Sequence, residues 1–164
     1  MKPEVIEQTI QLWTQEPEKG KATPVIKARS EGAQAVLESG PFTWQTDLPP
    51  VLGGENKYPS PTAQLLGALA GCAVVFIRDT LAPQLGVQVD SVKAEVRCKA
   101  DLRGLLAMPG ALADLEDLEV NIQIRSPDSD EKVQALYEVW RERCPVYLAL
   151  TKPMSVTTRL SWSE

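Results

Sequence analysis

Residues 60–82 form one long, mostly apolar run, and this run constrains the fold more than any other segment. Ser60 can accept a hydrogen bond from an unpaired backbone N–H of a first helical turn, and Pro61 at the first helical position gives up no bond. Between residues 65 and 77 nearly every side chain is apolar or small, with no polar stripe at helical spacing. Because such a helix is packed on all sides, the sequence predicts a central helix over residues 60–82.

The end of this run argues against a membrane span. A spanning helix needs about 20 apolar residues, whereas this run is shorter and closes at Arg78 and Asp79. At roughly 1.5 Å per residue the helix is about 33 Å long, comparable to the diameter of a small domain. One chain of 164 residues can hardly surround it. We therefore expect no membrane partner and a second subunit around the helix.

Composition and charge narrow the possible functions. With 43% hydrophobic and 24% charged residues, the chain fits a single globular domain with a sizeable core. A net charge of -5 leaves no basic face for phosphates, so we expect no nucleic acid partner. The absence of histidine excludes histidine-based catalytic triads and histidine metal sites. Three cysteines without CxxC spacing make a zinc site improbable, and we predict no cofactor.

The cellular location follows from the N-terminus and the cysteines. Lys2, Glu4 and Glu7 interrupt the start, so no signal-peptide pattern opens the chain. The cysteines are few and odd in number, which argues against a disulfide framework. Since thiols stay reduced in the cytoplasm, we predict a cytoplasmic protein.

The first half of the chain reads as a helix followed by strands. Ile6, Ile10 and Trp13 recur at helical spacing, which predicts an amphipathic accessory helix. The predicted domain boundary separates this helix and its linker, residues 1–22, from one domain over residues 23–164. The segments are a helix over 3–15, a polar linker over 16–23, a meander of three strands over 25–29, 33–38 and 42–46, and a loop rich in Pro and Gly over 47–59.

The second half alternates strands and helices. Residues 87–99 and 118–125 alternate between apolar and polar side chains, which predicts two half-buried strands. Residues 101–117 read as a loop that can hold a short helix. Ser129 can cap a helix, Cys144 can cap a second one beginning at Pro145, and residues 154–162 read as a final strand.

This order predicts an α+β fold with mostly antiparallel pairing, in which a sheet curls around the central helix. One such sheet covers only one side of a helix that is apolar all round. We therefore expect an intimate homodimer.

Two cysteine motifs resemble those of a known family. Residues 52–56, Leu-Gly-Gly-Glu-Asn, then Ser60-Pro61 and residues 65–72, ending in Gly71-Cys72, resemble the central segment of the OsmC/Ohr family. Cys144-Pro145-Val146 resembles its second cysteine motif, and residues 101–105, Asp-Leu-Arg-Gly-Leu, resemble a segment between the two. The resemblance covers about residues 25–162. It implies an OsmC-like fold, an interlocked homodimer with sheets wrapped around central helices.

The resemblance also implies thiol-dependent reduction of organic hydroperoxides. Cys72 would be the peroxidatic cysteine, Cys144 would resolve its sulfenic acid as a disulfide, and an external dithiol would restore both thiols. Arg29 best matches the family's arginine, which would favour the Cys72 thiolate. The family's glutamate position falls at Thr62 in this chain, a departure that puts activity in question. Glu55 in the preceding loop is a candidate substitute.

Other interpretations of the same residues stay open. Cys72 can be a small apolar core residue, and Cys98 on the inward face of a strand is expected to be one. Arg29 can be a solvated charge at the end of a strand. The alternative function is a non-catalytic dimer of the same fold that binds an apolar small molecule. An apolar ligand or substrate would enter a pocket lined by side chains such as Phe76, Tyr58, Trp44 or Trp140.

Overall fold

The computed structural model describes residues 3–162 and has an α+β architecture. Three antiparallel strands form one sheet, two more form a second, and the helices lie between and beside them. The helices are α1 Pro3–Gln15, α2 Pro61–Phe76, α3 Ala82–Leu85, α4 Leu102–Leu105, α5 Asp130–Arg143 and α6 Pro145–Thr151; the strands are β1 Lys27–Glu31, β2 Gln34–Ser39, β3 Phe42–Thr46, β4 Ser91–Ala100 and β5 Leu115–Arg125.

The meander β1–β2–β3 confirms the three predicted strands. Its third strand has the predicted bounds, and the first two begin one or two residues later than predicted. Gly32 and Gly40 lie in the two connecting turns with φ of 61° and 54°, a region that glycine reaches without strain. The sequence therefore located these strands correctly.

Strands β4 and β5 form a separate antiparallel hairpin. Val92 lies opposite Ile124 and Val96 opposite Val120, and a bulge interrupts the register between Arg97 and Lys99. The short helix α4 lies between the two strands, within the segment predicted as a loop. A Cβ on Gly104 would lie 2.2 Å from the carbonyl carbon of Leu112, so only glycine allows this close chain crossing.

The central helix is longer than predicted. The Ser60 hydroxyl accepts a hydrogen bond from the Ala63 amide at 3.2 Å, which confirms the cap. The helix continues through a π-helical turn, Ile77–Leu81, to Leu85, so the expected end at residue 82 was wrong. Proline at position 83 lacks an N–H and crowds the preceding turn, and a wider π turn accommodates it. Gly86, with φ of 63°, ends the helix.

One face of the central helix forms the core of the chain. Leu69, Ala73, Ile77 and Leu81 are at most 1% exposed and recur every four residues. This stripe packs against the inward side chains of β4 and β5, and against Leu136 and Trp140 of α5: the strand residues are Val92, Ala94, Val96, Val120, Ile122 and Ile124. The two halves of the chain therefore share one core.

The opposite face of the same helix is uncovered in this chain. Gly67, Ala68 and Gly71 are exposed, and Val75 is 50% exposed. The sequence predicted that one chain could not surround this helix, and the single chain leaves this face exposed. Its covering by a second copy stays a prediction. No element of residues 3–162 lies over this face. We call Gly67, Ala68, Gly71 and Val75 the open face.

The stretch Pro61–Leu85 is long and apolar enough to cross a membrane by length and composition alone. A single helix of this kind is weak evidence, because the core helix of a soluble protein passes the same test. The absence of a membrane partner stays a prediction.

The final strand expected over residues 154–162 does not form in the single chain. These residues have no regular secondary structure, although their apolar side chains alternate as in a strand. Val156, Leu160 and Trp162 are 79%, 86% and 84% exposed. A strand needs a neighbouring strand for its backbone hydrogen bonds, and among residues 3–162 this segment has none.

Asp47 orders the loop that leads from β3 into the central helix. Its carboxylate is 3% exposed and accepts hydrogen bonds from the backbone amides of Leu48, Glu55 and Lys57, at 2.7, 3.2 and 3.0 Å. These hydrogen bonds, led by that from Lys57, lower the pKa of Asp47. A Cβ on Gly54 would lie 1.9 Å from the Leu48 carbonyl oxygen. The loop is thus folded tightly over one buried carboxylate.

Gln64 fastens the meander to the central helix. Its side-chain oxygen accepts a hydrogen bond from Trp44 Nε1 at 3.1 Å, and its side-chain nitrogen donates to the Gln45 carbonyl at 2.8 Å. One amide in the first turns of α2 therefore holds two consecutive residues of β3.

Helices α1 and α5 lie where the sequence predicts them, and their details differ. Helix α1 has the predicted bounds, buries Ile6 and packs against α3. The linker after it contains a 3₁₀ turn, Pro17–Gly20. Ser129 precedes α5 as expected, but its hydroxyl does not cap a backbone amide. The division into residues 1–22 and 23–164 stays a prediction.

Candidate functional site

Two cysteines from distant parts of the chain meet at the core. The Cys72 and Cys144 sulfurs lie 3.1 Å apart, and both are free thiols. Cys72 comes from the middle of α2, and Cys144 from the junction of α5 and α6. A separation of 3.1 Å is close enough for a disulfide to form after a small movement, since a disulfide bond is about 2.05 Å long.

The junction of α5 and α6 positions Cys144. Its backbone amide donates to the Trp140 carbonyl at 2.8 Å and so closes α5, while its carbonyl accepts from the Leu148 amide at 2.9 Å and opens α6. Pro145 is the first residue of α6, as predicted. The Cys144 sulfur makes no capping bond and instead faces Cys72.

The two sulfurs differ in exposure. Cys144 is 0% exposed and belongs to the core with Leu136 and Trp140. Cys72 is partly exposed, because its position on α2 lies at the border between the buried stripe and the open face. Only one of the two sulfurs is therefore accessible from outside.

The surroundings of Cys72 oppose its ionisation in the single chain. Burial, followed by hydrogen bonding to and charge repulsion from the neighbouring Cys144 thiol, raises the pKa of Cys72 to about 11. A hydrogen bond from the Val146 backbone amide acts in the opposite direction. Near neutral pH, Cys72 is therefore a thiol in this chain.

A cavity lies one helical turn from each cysteine, although neither cysteine lines it; most of its lining residues are apolar or aromatic, and Glu119, Arg141 and Thr151 are polar. It has a volume of about 730 Å³ between α2, β5, α5 and α6. Leu69, one turn before Cys72, and Trp140, one turn before Cys144, contribute to its lining. Trp140 stacks with Tyr137 at 5.9 Å and meets Tyr147 at 5.1 Å between ring centroids. Its buried Nε1 has no hydrogen-bond partner among the described residues.

The four predicted pocket residues lie in three different places. Trp140 lines the cavity beside the cysteines. Tyr58 and Trp44 instead line an open groove of about 810 Å³ between β3 and α2. Phe76 packs against the buried core. The groove ends at the open face, because Gly67 and Ala68 form its helical wall.

The predicted arginine lies apart from the sulfurs in the single chain. Arg29 pairs with Glu31, and with Glu38 at 3.8 Å, on the exposed side of the meander. It also lines a pocket of about 510 Å³ with Asp47 and Pro61. Its role at Cys72 stays a prediction.

The candidate substitute for the missing glutamate has other partners. Glu55 forms an ion pair with Lys57 and accepts a hydrogen bond from Gln34 at 2.8 Å. The bond from Lys57 lowers the pKa of Glu55. Thr62 lies half-buried in the first turn of α2. In the single chain, neither residue holds Arg29.

Comparison with known families places these cysteines in context. The family model of OsmC-like proteins matches residues 54–159, well over half of the chain. The chain belongs to the OsmC-like protein family. Cys72 and Cys144 lie inside the matched region, whereas Arg29 and helix α1 lie before it. No curated protein sequence matches the chain.

Solved structures of OsmC-like proteins share the fold. The OsmC-like protein of Mycoplasma pneumoniae has a TM-score of 0.66 at 21% identity, covering 80% of this chain and 89% of that one. A putative osmotic stress induced and detoxification response protein of Psychrobacter arcticus scores 0.60 at 20% identity, covering 77% and 88%. An organic hydroperoxide resistance protein OsmC of Legionella pneumophila scores 0.55 at 23% identity, covering 80% and 90%. These likenesses establish an OsmC-like α+β fold.

Sequence reasoning missed the Val146 amide and the side chains of Tyr137 and Tyr147, whereas Trp140 was predicted as a pocket residue. The Val146 amide that bonds to the Cys72 sulfur comes from the second cysteine motif, yet no side-chain pattern marks it. The cluster of Tyr137, Trp140 and Tyr147 crosses from one helix to the next. The spacing of these aromatic residues around Cys144 is the sequence pattern that could have indicated the cluster.

Proposed function

We propose that this OsmC-like protein reduces organic hydroperoxides, with Cys72 as the peroxidatic and Cys144 as the resolving cysteine. The observation that carries the proposal is the 3.1 Å separation of two free thiols that lie 72 residues apart in sequence. Descriptions of relatives as organic hydroperoxide resistance proteins support the same chemistry.

The reaction needs both sulfurs. The Cys72 thiolate attacks one peroxide oxygen, the O–O bond breaks, the alcohol leaves, and Cys72 becomes a sulfenic acid. Cys144 then attacks the oxidised sulfur, a disulfide forms, and water leaves. An external dithiol reduces this disulfide by exchange and is itself oxidised. Because Cys144 is already adjacent, it can capture the sulfenic acid before further oxidation.

The first step requires a cation that the single chain does not place at Cys72. A thiol with a pKa near 11 is a poor nucleophile at neutral pH. A positive charge near the sulfur would stabilise the thiolate. We propose that the assembled homodimer supplies this charge, with Arg29 as the candidate, because Cys72 lies at the border of the open face that a second copy would cover.

The open face supports the homodimer. Gly67 and Gly71 lie in the middle of a helix, where each costs about 0.5–1 kcal/mol relative to alanine. A Cβ at either position would meet nothing within 4 Å in the single chain, so no contact within the described residues requires glycine there. Small residues four apart let two helices approach closely. A second copy packed on this face explains both glycines.

The unpaired residues 154–162 also support an interlocked homodimer. Their exposed apolar side chains would be buried if the segment added to a sheet of the second copy. Within the chain described here they have no neighbouring strand.

The adjoining cavity supports bulky organic peroxides as substrates. Its lining is predominantly apolar and aromatic, and it shares Leu69 and Trp140 with the surroundings of the cysteines. An alkyl or aryl group would be buried there, whereas hydrogen peroxide would gain nothing from it. We therefore propose a preference for organic hydroperoxides over hydrogen peroxide.

The decisive experiment is dithiol-dependent turnover of cumene hydroperoxide, with hydrogen peroxide as the comparison substrate. We expect turnover by the wild type, none by Cys72→Ser, and a single oxidation without turnover by Cys144→Ser. Cys98→Ser is the matched control and should behave as wild type, since Cys98 is a half-buried residue of β4. Wild-type protein that retains all thiols after excess peroxide would contradict the proposal.

A non-catalytic ligand-binding function is the second candidate. The raised pKa of Cys72 and the apolar cavity of about 730 Å³ favour it. In that case both thiols stay titratable after peroxide, and native mass spectrometry detects an apolar small molecule bound to the purified protein.

A further inference from the structure

The two sulfurs of the cysteine pair are unequally accessible, and this difference bears on how the oxidised protein is reduced. Cys144 is 0% exposed, whereas Cys72 is partly exposed. A disulfide between them would present only one of its two sulfurs to an external thiol. This inference rests on the proposed function, because it concerns the reductive half of that reaction.

We infer that the external dithiol attacks the Cys72 sulfur of the disulfide, so that the mixed disulfide forms on Cys72 and Cys144 is released first. In the first step a thiolate of the reductant bonds to Cys72, the bond between Cys72 and Cys144 breaks, and its electron pair leaves with Cys144, which takes up a proton. In the second step the other thiolate of the reductant attacks its own sulfur in the mixed disulfide. Cys72 leaves with the electron pair, and the reductant departs as a cyclic disulfide.

The geometry of exchange supports this order. The rate of thiol–disulfide exchange depends on which sulfur can be reached. An entering sulfur approaches along the extension of the bond that breaks. To attack Cys144 it would have to approach from the side opposite Cys72, and this approach is closed because Cys144 is completely buried in the core that also holds Leu136 and Trp140.

The backbone around Cys144 keeps this side closed. Its amide and carbonyl are both engaged, with Trp140 and Leu148 at 2.8 and 2.9 Å, so Cys144 cannot turn outward without opening the ends of α5 and α6. Cys72 needs no such opening. Its sulfur lies at the edge of the buried stripe of α2, near Leu69 of the apolar cavity.

The same order explains why a dithiol is required. After attack by a monothiol, the released Cys144 thiol stays beside Cys72 and can attack it again, which expels the monothiol. An intramolecular thiol at such a distance acts at a high effective concentration. A dithiol avoids this reversal, because its second thiol can attack the mixed disulfide in competition with Cys144.

The test locates the first mixed disulfide by mass spectrometry. Wild-type protein is oxidised, mixed briefly with excess isotope-labelled 2-mercaptoethanol, quenched with acid, and digested at acid pH. The peptides that contain Cys72 and Cys144 are then compared. We expect the label on Cys72 in at least about tenfold excess, since exchange depends on which sulfur can be reached and Cys144 is completely buried. Label on Cys144, or an equal division, would overturn the inference.

The oxidation step separates this test from the proposed function. The disulfide is prepared once with cumene hydroperoxide and once with diamide, which oxidises two thiols directly. If peroxide fails and diamide succeeds, the proposed function fails while the order of reduction is still measured.

Single-cysteine variants provide a second measurement. In Cys144→Ser the remaining Cys72, and in Cys72→Ser the remaining Cys144, are titrated with an aromatic disulfide, each in a background of Cys98→Ser. We expect Cys72 to react at least about tenfold faster in the folded protein, and equal rates in guanidinium chloride. Equal rates in the folded protein would contradict the inference.

Discussion

The two faces of the central helix differ in how far the chain buries them. Leu69, Ala73 and Ile77 on one face are completely buried by the hairpin β4–β5 and by α5. Gly67 and Gly71 on the other face are exposed, although the sequence there is equally free of charge. Apolar patterning alone therefore shows that a helix will be covered, but not by which chain. The cysteine pair lies where these two faces meet.

The largest expected effect comes from filling the open face. Gly71→Leu adds a side chain whose Cβ meets nothing within 4 Å among the described residues, but it would block a second helix at close approach. We expect dimer dissociation to increase by about two orders of magnitude or more, as for a disrupted interface centre. Sedimentation velocity over a concentration series measures this.

A leucine at an unrelated exposed position is the control for this change. Glu142→Leu on α5 should leave the assembly unchanged. A Gly71→Leu protein with an unchanged circular dichroism spectrum and unchanged dimer would refute the covering of the open face by a second copy.

The next effect concerns the charge state of Cys72. In the monomeric Gly71→Leu variant, alkylation of Cys72 should still be rising at pH 10, because burial, the largest cause of its raised pKa, does not depend on Cys144. In the wild-type dimer the profile should level off at lower pH, since the proposed cation stabilises the thiolate. Iodoacetamide rates with Cys144→Ser and Cys98→Ser in both backgrounds give the comparison. Identical profiles would show that assembly does not activate Cys72.

Truncation on the buried face tests the other half of the comparison. Ile77→Ala removes a completely buried side chain and should lower the free energy of unfolding by about 2–5 kcal/mol. Urea denaturation followed by circular dichroism measures the loss. Val75→Ala on the open face is its matched control in a monomeric background, where it should change stability by less than about 1 kcal/mol. Equal losses would mean that both faces are packed within one chain.

A smaller loss is expected at the amide that joins helix and meander. Gln64→Leu removes two hydrogen bonds to β3, at about 1 kcal/mol each. Hydrogen exchange should show faster opening of β3 than of β4. Unchanged protection of β3 would indicate that packing alone holds the meander.

The smallest expected effect is at the helix start. Ser60→Ala removes the hydroxyl that accepts from the Ala63 amide, at about 1 kcal/mol. Thermal unfolding measures this, and Ser60→Thr should recover most of the loss, because threonine also caps helices. A loss in both variants would point to a steric cause at this position.

The sequence predicted those elements whose pattern is satisfied locally. Helix α1, the meander and the Ser60 cap follow from periodicity and turn residues, and the two cysteine motifs correctly indicated the family. The end of the central helix could not be predicted, because a proline normally stops a helix and the π turn that accommodates Pro83 has no sequence signature. The strand over residues 154–162 failed for a different reason. Its alternation is real, but pairing depends on a neighbouring strand, and residues 3–162 provide none.

The sequence predicted which cysteines form the site better than it predicted their charge state. Cys72 and Cys144 were paired through the resemblance, and the structure brings their sulfurs together. The raised pKa of Cys72 was not predicted, since it arises from burial and from the second thiol itself. Arg29 illustrates the limit most clearly. No sequence pattern indicates whether a charged residue in a strand acts in its own chain or in a second copy.

The buried carboxylate of Asp47 has a consequence for assembly. A flexible connection between meander and helix would have to be ordered on association, at about 1–2 kcal/mol of conformational entropy for each residue fixed. Three backbone amides and the close packing of Gly54 have already fixed much of this loop in the single chain. If two copies associate as proposed, this loop would already be ordered, and Asp47 would favour association by lowering its entropic cost.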